Sequence, residues 1–424
     1  MTKRGVNRVL AAVAASLLLV NSAIATDGYF LTGYGTKQQG RGGTGVALPG
    51  DSLAAATNPA GLTLVGDRLD FGLTLFRPIR SGTIVGNQLP PGYPDVNGTY
   101  DASRVKDFFL PELGYSHLFR PNLAVGVALY GNGGLNTSYT TPIPLLGTTR
   151  GGVDLEQLFI SPALAYKLGA HHSFGIAANI AYQRFAAEGI QNFANAHYST
   201  DPTNVTNNGY SNSYGAGVRI GWIGELSRYL NVGATYQTQT YASKFSRYSG
   251  LFAQGGKFDI PANFAGGVAV RIAPKAAVQF DAERILYGQI KAAANSGANQ
   301  APLGASNGPR LWMARNYRHQ DRSGLRCELR AHPAGRLQLL PGSFQRHASF
   351  LQPARPCCNS ASPAHGRNLD AEERKGKNFA YIHAFEGQVS GVNAIPPAAG
   401  GGNIDLHMDQ NSFQVSFGWK KSGK

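Results

Sequence analysis

The sequence predicts an all-β chain whose strands close into a membrane-spanning antiparallel barrel. Three observations predict it: a folded composition depleted in charge, repeated period-two alternation, and an export signal at the N-terminus. The 424 residues are 42% hydrophobic and 10% aromatic but only 15% charged. Soluble domains carry about 25% charged residues, so much of this surface faces something other than water. Ample aromatics argue against disorder, 54 glycines without a three-residue period argue against collagen, and three cysteines cannot staple a disulfide scaffold.

The export signal comes first in the chain. Lys3, Arg4 and Arg8 form a positive start, Val9 to Val20 a mostly apolar run, and Ala23-Ile24-Ala25 a small-x-small cleavage site. Residues 1–25 therefore read as a signal peptide, with the mature chain starting near Thr26. The apolar run is shorter than the ~20 residues a spanning helix needs, and no later window supplies ~18 uninterrupted apolar residues.

The formal charge of +15 is a nucleic-acid signature only until it is located. Three positive charges lie in the first ten residues, and residues 309–377 hold 11 Arg and 2 Lys against 5 Asp or Glu, a net of +8. The remaining body is close to neutral and shows no basic groove interleaved with aromatics, so no nucleic-acid partner is expected.

The strands follow. Leu69, Phe71, Leu73 and Leu75 interleave with Asp70, Gly72 and Thr74, and period two sends the two sets to opposite faces. The same pattern sets Leu123, Val125, Val127 and Leu129 against Ala124, Gly126 and Ala128, and Phe174, Ile176, Ala178, Ile180 and Tyr182 against Ser173, Gly175, Ala177, Asn179 and Gln183. It recurs in Tyr214 to Trp222, Val278 to Glu283 and Ser412 to Trp419. Alternation alone also suits a soluble sandwich. Combined with the export signal and polar loops of unequal length, it matches a transmembrane barrel, the one strand architecture that leaves no edge in lipid. Tyr130, Phe159, Tyr166, Tyr182, Trp222, Tyr236 and Trp419 are then expected in the interfacial girdles, and Ser81 to Asp101, Asn132 to Asp154 and Asn192 to Ser213 as long extracellular loops.

The stretch ahead of the first strand is the most specific. It runs Thr26-Asp27-Gly28-Tyr29-Phe30, then Gly33-Tyr34-Gly35-Thr36-Lys37-Gln38-Gln39-Gly40-Arg41-Gly42-Gly43-Thr44-Gly45, and closes on Asp51-Ser52-Leu53-Ala54-Ala55-Ala56-Thr57-Asn58-Pro59-Ala60-Gly61. This resembles the FadL/TodX-type family of outer-membrane transporters for long-chain fatty acids and aromatic hydrocarbons. The resemblance covers about Thr26 to Ile290, including Phe109-Leu110-Pro111-Glu112-Leu113-Gly114-Tyr115, and resumes from about Phe379 to Trp419.

The resemblance implies a barrel of about fourteen strands plugged by an N-terminal hatch, here residues 26–65, with barrel strands and loops over 66–308 and C-terminal barrel strands over 378–419. It implies passive uptake of a hydrophobic small molecule, a fatty acid or hydrocarbon, with no cofactor and no bond made or broken. It implies a location in the outer membrane, amid outer-membrane lipid and lipopolysaccharide, reached through the outer-membrane assembly machinery. Gly40, Gly42, Gly45, Asn58, Pro59 and Ala60 are the candidate gating residues. Pro59 lacks an N–H and holds Asn58 extended; whether this constraint gates the pore or only fills it stays open. In the family a gap in the barrel wall lets ligand leave sideways into the membrane. No substrate-contacting residue is assigned. The alternative is a general diffusion porin or structural barrel without a specific ligand, against which the Gly-rich plug and a sparsely charged lumen argue.

Enzyme-like motifs do not hold. Gly40 to Gly45 fits G-x-G-x-x-G without the strand and helix that motif needs, and Gly304 to Gly308 fits G-x-S-x-G without its strand and helix. Asp281 and Glu283 read as lumen carboxylates pairing with a residue such as Arg219 rather than as an acid/base pair. No catalytic or metal site is expected.

Residues 309–377 stand apart, with all three cysteines, four histidines and no strand alternation. A metal site from Cys327, His332, His347, Cys357, Cys358 and His365 fits none of the usual zinc spacings. A basic loop of this length without structure is unusual. Out-of-frame translation of GC-rich coding DNA accounts for more: it enriches Arg, Pro, Ala, His and Cys, and barrel-like sequence resumes at Phe379. Two compensating frame changes would then have replaced two or three strands. The tail after Trp419, Lys420 to Lys424, also departs from the terminal aromatic usual in outer-membrane barrels.

Overall fold

The computed structural model describes residues 26–273, 276–297, 299–310, 322–330, 365–368 and 375–420. Residues 1–25, expected to be the signal peptide, most of residues 309–377, including the Cys357 and Cys358 positions, and the tail after Lys420 lie outside them. Among the described residues no helix is long and apolar enough to cross a membrane. The chain is instead one large antiparallel sheet.

Its principal strands are β1 (Arg68–Val85), β2 (Phe108–Arg120), β3 (Leu123–Pro142), β4 (Arg150–Leu168), β5 (His172–Glu188), β6 (Ser211–Ser227), β7 (Leu230–Gln237), β8 (Asn263–Ala273), β9 (Ala276–Ile285), β10 (Arg322–Arg330), β11 (His365–Asn368), β12 (Lys375–Gly391) and β13 (Asn403–Lys420). Each pairs antiparallel with its chain neighbour from β1 to β10 and from β11 to β13. The ring turns back on itself where β13 pairs with β1 along their full lengths, from Asn403 opposite Val85 to Lys420 opposite Arg68. From the pairings, β10 and β11 run in the same sense. The described strands fit an antiparallel barrel of about fourteen strands.

Side-chain placement is inverted relative to a soluble protein. Thr74, Ser116, Ser161, Asn179, Ser213, Gln279 and Gln414 are buried, while Leu73, Phe109, Leu164, Ile180, Tyr214, Phe264 and Phe413 on the alternate positions are exposed. Exposed apolar bands and buried polar rows are stable only where the outside is hydrocarbon and the polar interior finds partners. The sandwich alternative fails on this point.

Two girdle residues are corrected. Tyr130 and Phe159 are buried in the lumen and stack at 5.5 Å with 8° between their planes. They share the parity of Ala124 and Ala128 on β3 and of Gln157 and Ser161 on β4, all buried, so period two sends them inward. Tyr166 and Tyr236 face outward as expected.

The loops are shorter than composition implied. β1 runs on to Val85 and β3 to Pro142, so Gly-, Asn- and Thr-rich sequence there is strand. Backbone pairing of β3 with β4 continues to Pro142 opposite Arg150, beyond the apolar band, because ladder bonds do not require apolar side chains. At the other end the turns are tight: residues 121–122 join β2 to β3 and 228–229 join β6 to β7. Short turns at one end and long connections at the other are the periplasmic and extracellular ends of an outer-membrane barrel.

Candidate functional site

The lumen is occupied by the chain's own N-terminal segment. From Tyr29 to Leu62 nearly every residue is buried, including Lys37, Gln38, Gln39, Arg41 and Asn58. Its helical turns α1 (Thr36–Gln39), α2 (Ala54–Thr57) and α3 (Leu62–Val65) are each a single turn. Turns this short are not stable alone, so the barrel wall must hold them.

Wall carboxylates take the segment's backbone N–H groups. Glu112 on β2 accepts from the Thr36 N–H at 3.0 Å and from the Thr36 hydroxyl at 2.8 Å. Asp281 on β9 accepts from the Gly45 N–H at 2.7 Å and the Val46 N–H at 3.0 Å. Asp70 on β1 accepts from the Ser52 N–H at 3.0 Å and its hydroxyl at 2.6 Å, and is held in turn by both arms of Arg68 at 2.6 Å. Bonds to ionised acceptors are roughly twice as strong as neutral ones. In the segment itself, burial and the neighbouring Asp70 push the Asp51 carboxyl above its ordinary range, against the pull of Arg68, Lys37 and Arg41.

Asn58 ties the segment to itself and to two wall strands. Its Nδ2 donates to the carbonyls of Val46 at 2.8 Å, Trp222 at 3.1 Å and Ala234 at 3.4 Å, the last two an opposed pair on β6 and β7. Its Oδ1 accepts from the Ala60 N–H at 3.2 Å and caps the 3-10 turn Pro59–Gly61. The backbone at Asn58 is extended, φ −142° and ψ 101°, as the following proline requires. The wall makes room: a Cβ on Gly221 would lie 1.9 Å from Asn58 Oδ1. Alongside, Arg219 donates to the Thr57 carbonyl at 3.1 Å and to Gln237.

The sequence therefore misassigned one pair. Arg219 serves the segment's backbone and Gln237, and Asp281 takes the Gly45 and Val46 N–H groups. The lumen also carries more charge than Arg219, Asp281 and Glu283, since Asp70, Arg80 and Glu112 are buried in it too. Their parity on β1 and β2 was the available signal; what it could not give was the partner strand of chain inside the barrel.

The other gating candidates are placed as follows. Gly40 follows α1 with ordinary helical φ, Gly42 has a left-handed φ of 68°, and Gly45 is held by Asp281. Pro59 and Ala60 are buried against β5 and β6.

The tip of the segment is held differently. Phe30 bridges to Gly133 at a register break in β3 between Gly131 and Gly133, and the Gly134 N–H donates to the Tyr29 carbonyl at 3.0 Å. A Cβ on Gly133 would lie 1.7 Å from that carbonyl oxygen, so only glycine permits the approach. The rings of Tyr29 and Phe30 pack on Phe258 and Tyr287, and Tyr34 packs on Tyr130 at 4.5 Å.

An antiparallel barrel with an apolar outer band and an occupied, polar-lined lumen is an outer-membrane transport barrel. The chain belongs to the family described as outer membrane protein transport protein (OMPP1/FadL/TodX), whose model matches residues 17–301. Members take up hydrophobic compounds through the barrel in the outer membrane. In fold the chain is similar to the Pseudomonas putida toluene transporter TodX, at 15% identity over 93% of this chain and 100% of that one with a TM-score of 0.65. It is also similar to the Ralstonia pickettii toluene transporter TbuX, at 18% identity over 92% and 99% with a TM-score of 0.58. A Pseudomonas aeruginosa FadL homologue matches at 14% identity over 92% and 99% with a TM-score of 0.61. No curated protein matches the sequence.

Proposed function

We propose that this chain is a passive uptake channel for a long-chain fatty acid or related hydrocarbon, gated by residues 26–65 acting as the hatch, with no chemical step. The observation that carries the reading is the wall's grip on Asn58, Gly45 and Thr36, which closes the lumen to free diffusion. Asn58, Pro59 and Ala60 form the stiff element of the gate, Gly42 supplies a left-handed turn, and Gly40 and Gly45 allow close packing against Thr36 and Gln38. The register break at Gly131 to Gly133 supports a sideways exit, because an unpaired residue locally weakens the wall. Lipopolysaccharide and outer-membrane lipid surround the barrel, and the outer-membrane assembly machinery inserts it.

The test is uptake of radiolabelled oleate and toluene, beside a small sugar, by outer-membrane vesicles carrying the full chain. Oleate or toluene entry without sugar entry is expected. Sugar entry at porin rates would establish the diffusion alternative.

Residues 1–25 are proposed as the export signal and residues 309–377 as the product of two compensating frame changes. The family match ending at residue 301 supports the second point, while the regular pairing of β10 (Arg322–Arg330) with β9 inside the segment stands against it. Resequencing the coding DNA from codon 300 to the stop tests it: another frame giving alternating strands and a terminal aromatic is expected, and the absence of one would overturn it.

A further inference from the structure

A line of buried amides runs along the inner face of the wall, over three adjacent strands, from the hatch tip to an extracellular connection. The Tyr34 hydroxyl donates to Asn132 Oδ1 at 2.8 Å, and Asn132 Nδ2 donates to Gln157 Oε1 at 2.9 Å. Gln157 Nε2 donates to Gln183 Oε1 at 2.7 Å, and Gln183 Nε2 donates to the Phe258 carbonyl at 3.1 Å. Asn132, Gln157 and Gln183 lie on β3, β4 and β5, and none is more than 3% exposed.

Three features make this more than lumen filling. The donors all point the same way, so each bond polarises the next, and in a buried setting such chains are worth more than isolated pairs. Asn132 is the residue skipped at the register break between Gly131 and Gly133, so one end of the line is fixed to the irregular part of the wall. Phe258, at the other end, belongs to the long connection between β7 and β8 and packs its ring on Tyr29 of the tip. The line thus touches the three parts that transport must coordinate: the extracellular connection, the wall break and the tip.

We infer that Asn132, Gln157 and Gln183 are positioning residues for transport, an amide relay that makes the connection at Phe258, the wall break and the hatch tip shift together. Removing one amide leaves a buried donor on one neighbour and a buried acceptor on the next without that partner, so the loss reaches the residues on both sides of it. This inference rests on the transport reading for its consequence but not for its detection.

The experiment uses the full chain in outer-membrane vesicles with oleate and toluene as probes. Gln157→Leu and Gln183→Leu are each expected to lower uptake about tenfold, with sugar leak and heat-modifiability of the barrel unchanged. The double variant is expected to lower it no further, as residues acting as a unit do. A double loss equal to the product of the single losses, or unchanged uptake in either single variant, overturns the inference. Should the leucine variants fail to fold, Gln157→Glu keeps the acceptor for Asn132 but cannot donate to Gln183, and it is expected to show the same loss; wild-type uptake in it overturns the relay.

Hydrogen exchange on the purified protein reads the link without a substrate. Gln183→Leu touches neither residue, yet exchange at the Tyr34 and Gly134 amides is expected to quicken by about tenfold. Unchanged exchange overturns the relay. A response in exchange together with no uptake of either probe by the wild type retires the transport reading instead and leaves the relay standing.

Discussion

The two halves of the lumen segment are held by different chemistry. From Thr36 to Thr63 the contacts are charge-assisted or multiple: Asp281 and the Arg68-paired Asp70 accept backbone N–H groups, Glu112 accepts twice from Thr36, Asn58 reaches two strands, and Thr63 bonds Ser173 at 2.8 Å. From Tyr29 to Tyr34 the wall contacts include backbone bridging at Gly133 and Gly134, the Tyr34 hydroxyl on Asn132 and edge-on or tilted ring contacts with Tyr287 and Tyr130, all between neutral groups. Bonds to charged groups contribute about 1.5–3 kcal/mol against about 0.5–1.5 for neutral ones. The difference teaches that Thr36 to Thr63 is the anchor and Tyr29 to Tyr34 the part whose rearrangement costs least.

The largest expected effect comes from attacking the anchor at Asn58, which reaches two wall strands. Asn58→Ala leaves the carbonyls of Val46, Trp222 and Ala234 and the Ala60 N–H without their side-chain partner, at a cost of roughly 3 kcal/mol to seating of the segment. Single-channel conductance should show a persistent leak that the wild type lacks. Silence there would mean that the anchor does not depend on Asn58.

Asp281→Asn comes next. It replaces two charge-assisted acceptor bonds by weaker ones and should cost about 1–2 kcal/mol, seen as intermittent rather than persistent openings and as faster proteolysis near Gly45. Tyr34→Phe, at about 1 kcal/mol, sharpens the comparison from the other side. Uptake of oleate should change while sugar leak stays at the wild-type level; a leak as large as that of Asn58→Ala would erase the distinction between anchor and tip.

The smallest effect lies in the extracellular connections. Asp201 accepts from Ser249 at 2.5 Å, Asn204 at 2.8 Å and Thr203 at 2.9 Å, and these bonds hold its carboxyl below the ordinary range. Because the folded value is depressed, the stabilisation is present above the usual carboxylate range and is lost as pH falls through the depressed value. Limited proteolysis at Ser199 to Gly209 should therefore accelerate only in that acid window, with Asp201→Asn removing the pH dependence.

Much of the barrel was legible because period two leaves a mark on every strand. Leu69 to Leu75, Phe174 to Tyr182 and Phe413 to Trp419 could be read directly, since lipid on one side and a polar lumen on the other select side chains at each position. Where the pattern misled, a second demand was present. Tyr130 and Phe159 look like girdle residues but stack on each other inside, with Tyr34 tilted against Tyr130, and aromatic content carries no label for direction. Gly- and Asn-rich stretches at the ends of β1 and β3 read as loops because backbone ladders there are free of hydrophobic selection. In the lumen, Asn58 stood out through its tripeptide. Asp70, Glu112, Gln157 and Gln183 did not, because each is an ordinary inward polar residue until the chain threaded through the barrel is known.

The most direct test of the account is the ratio of oleate uptake to sugar leak, measured in the same vesicles for the wild type and Asn58→Ala. The expected result is a high ratio for the wild type and a collapse in the variant through rising sugar leak. Equal, porin-like sugar entry in both would contradict a hatch held in place by the wall.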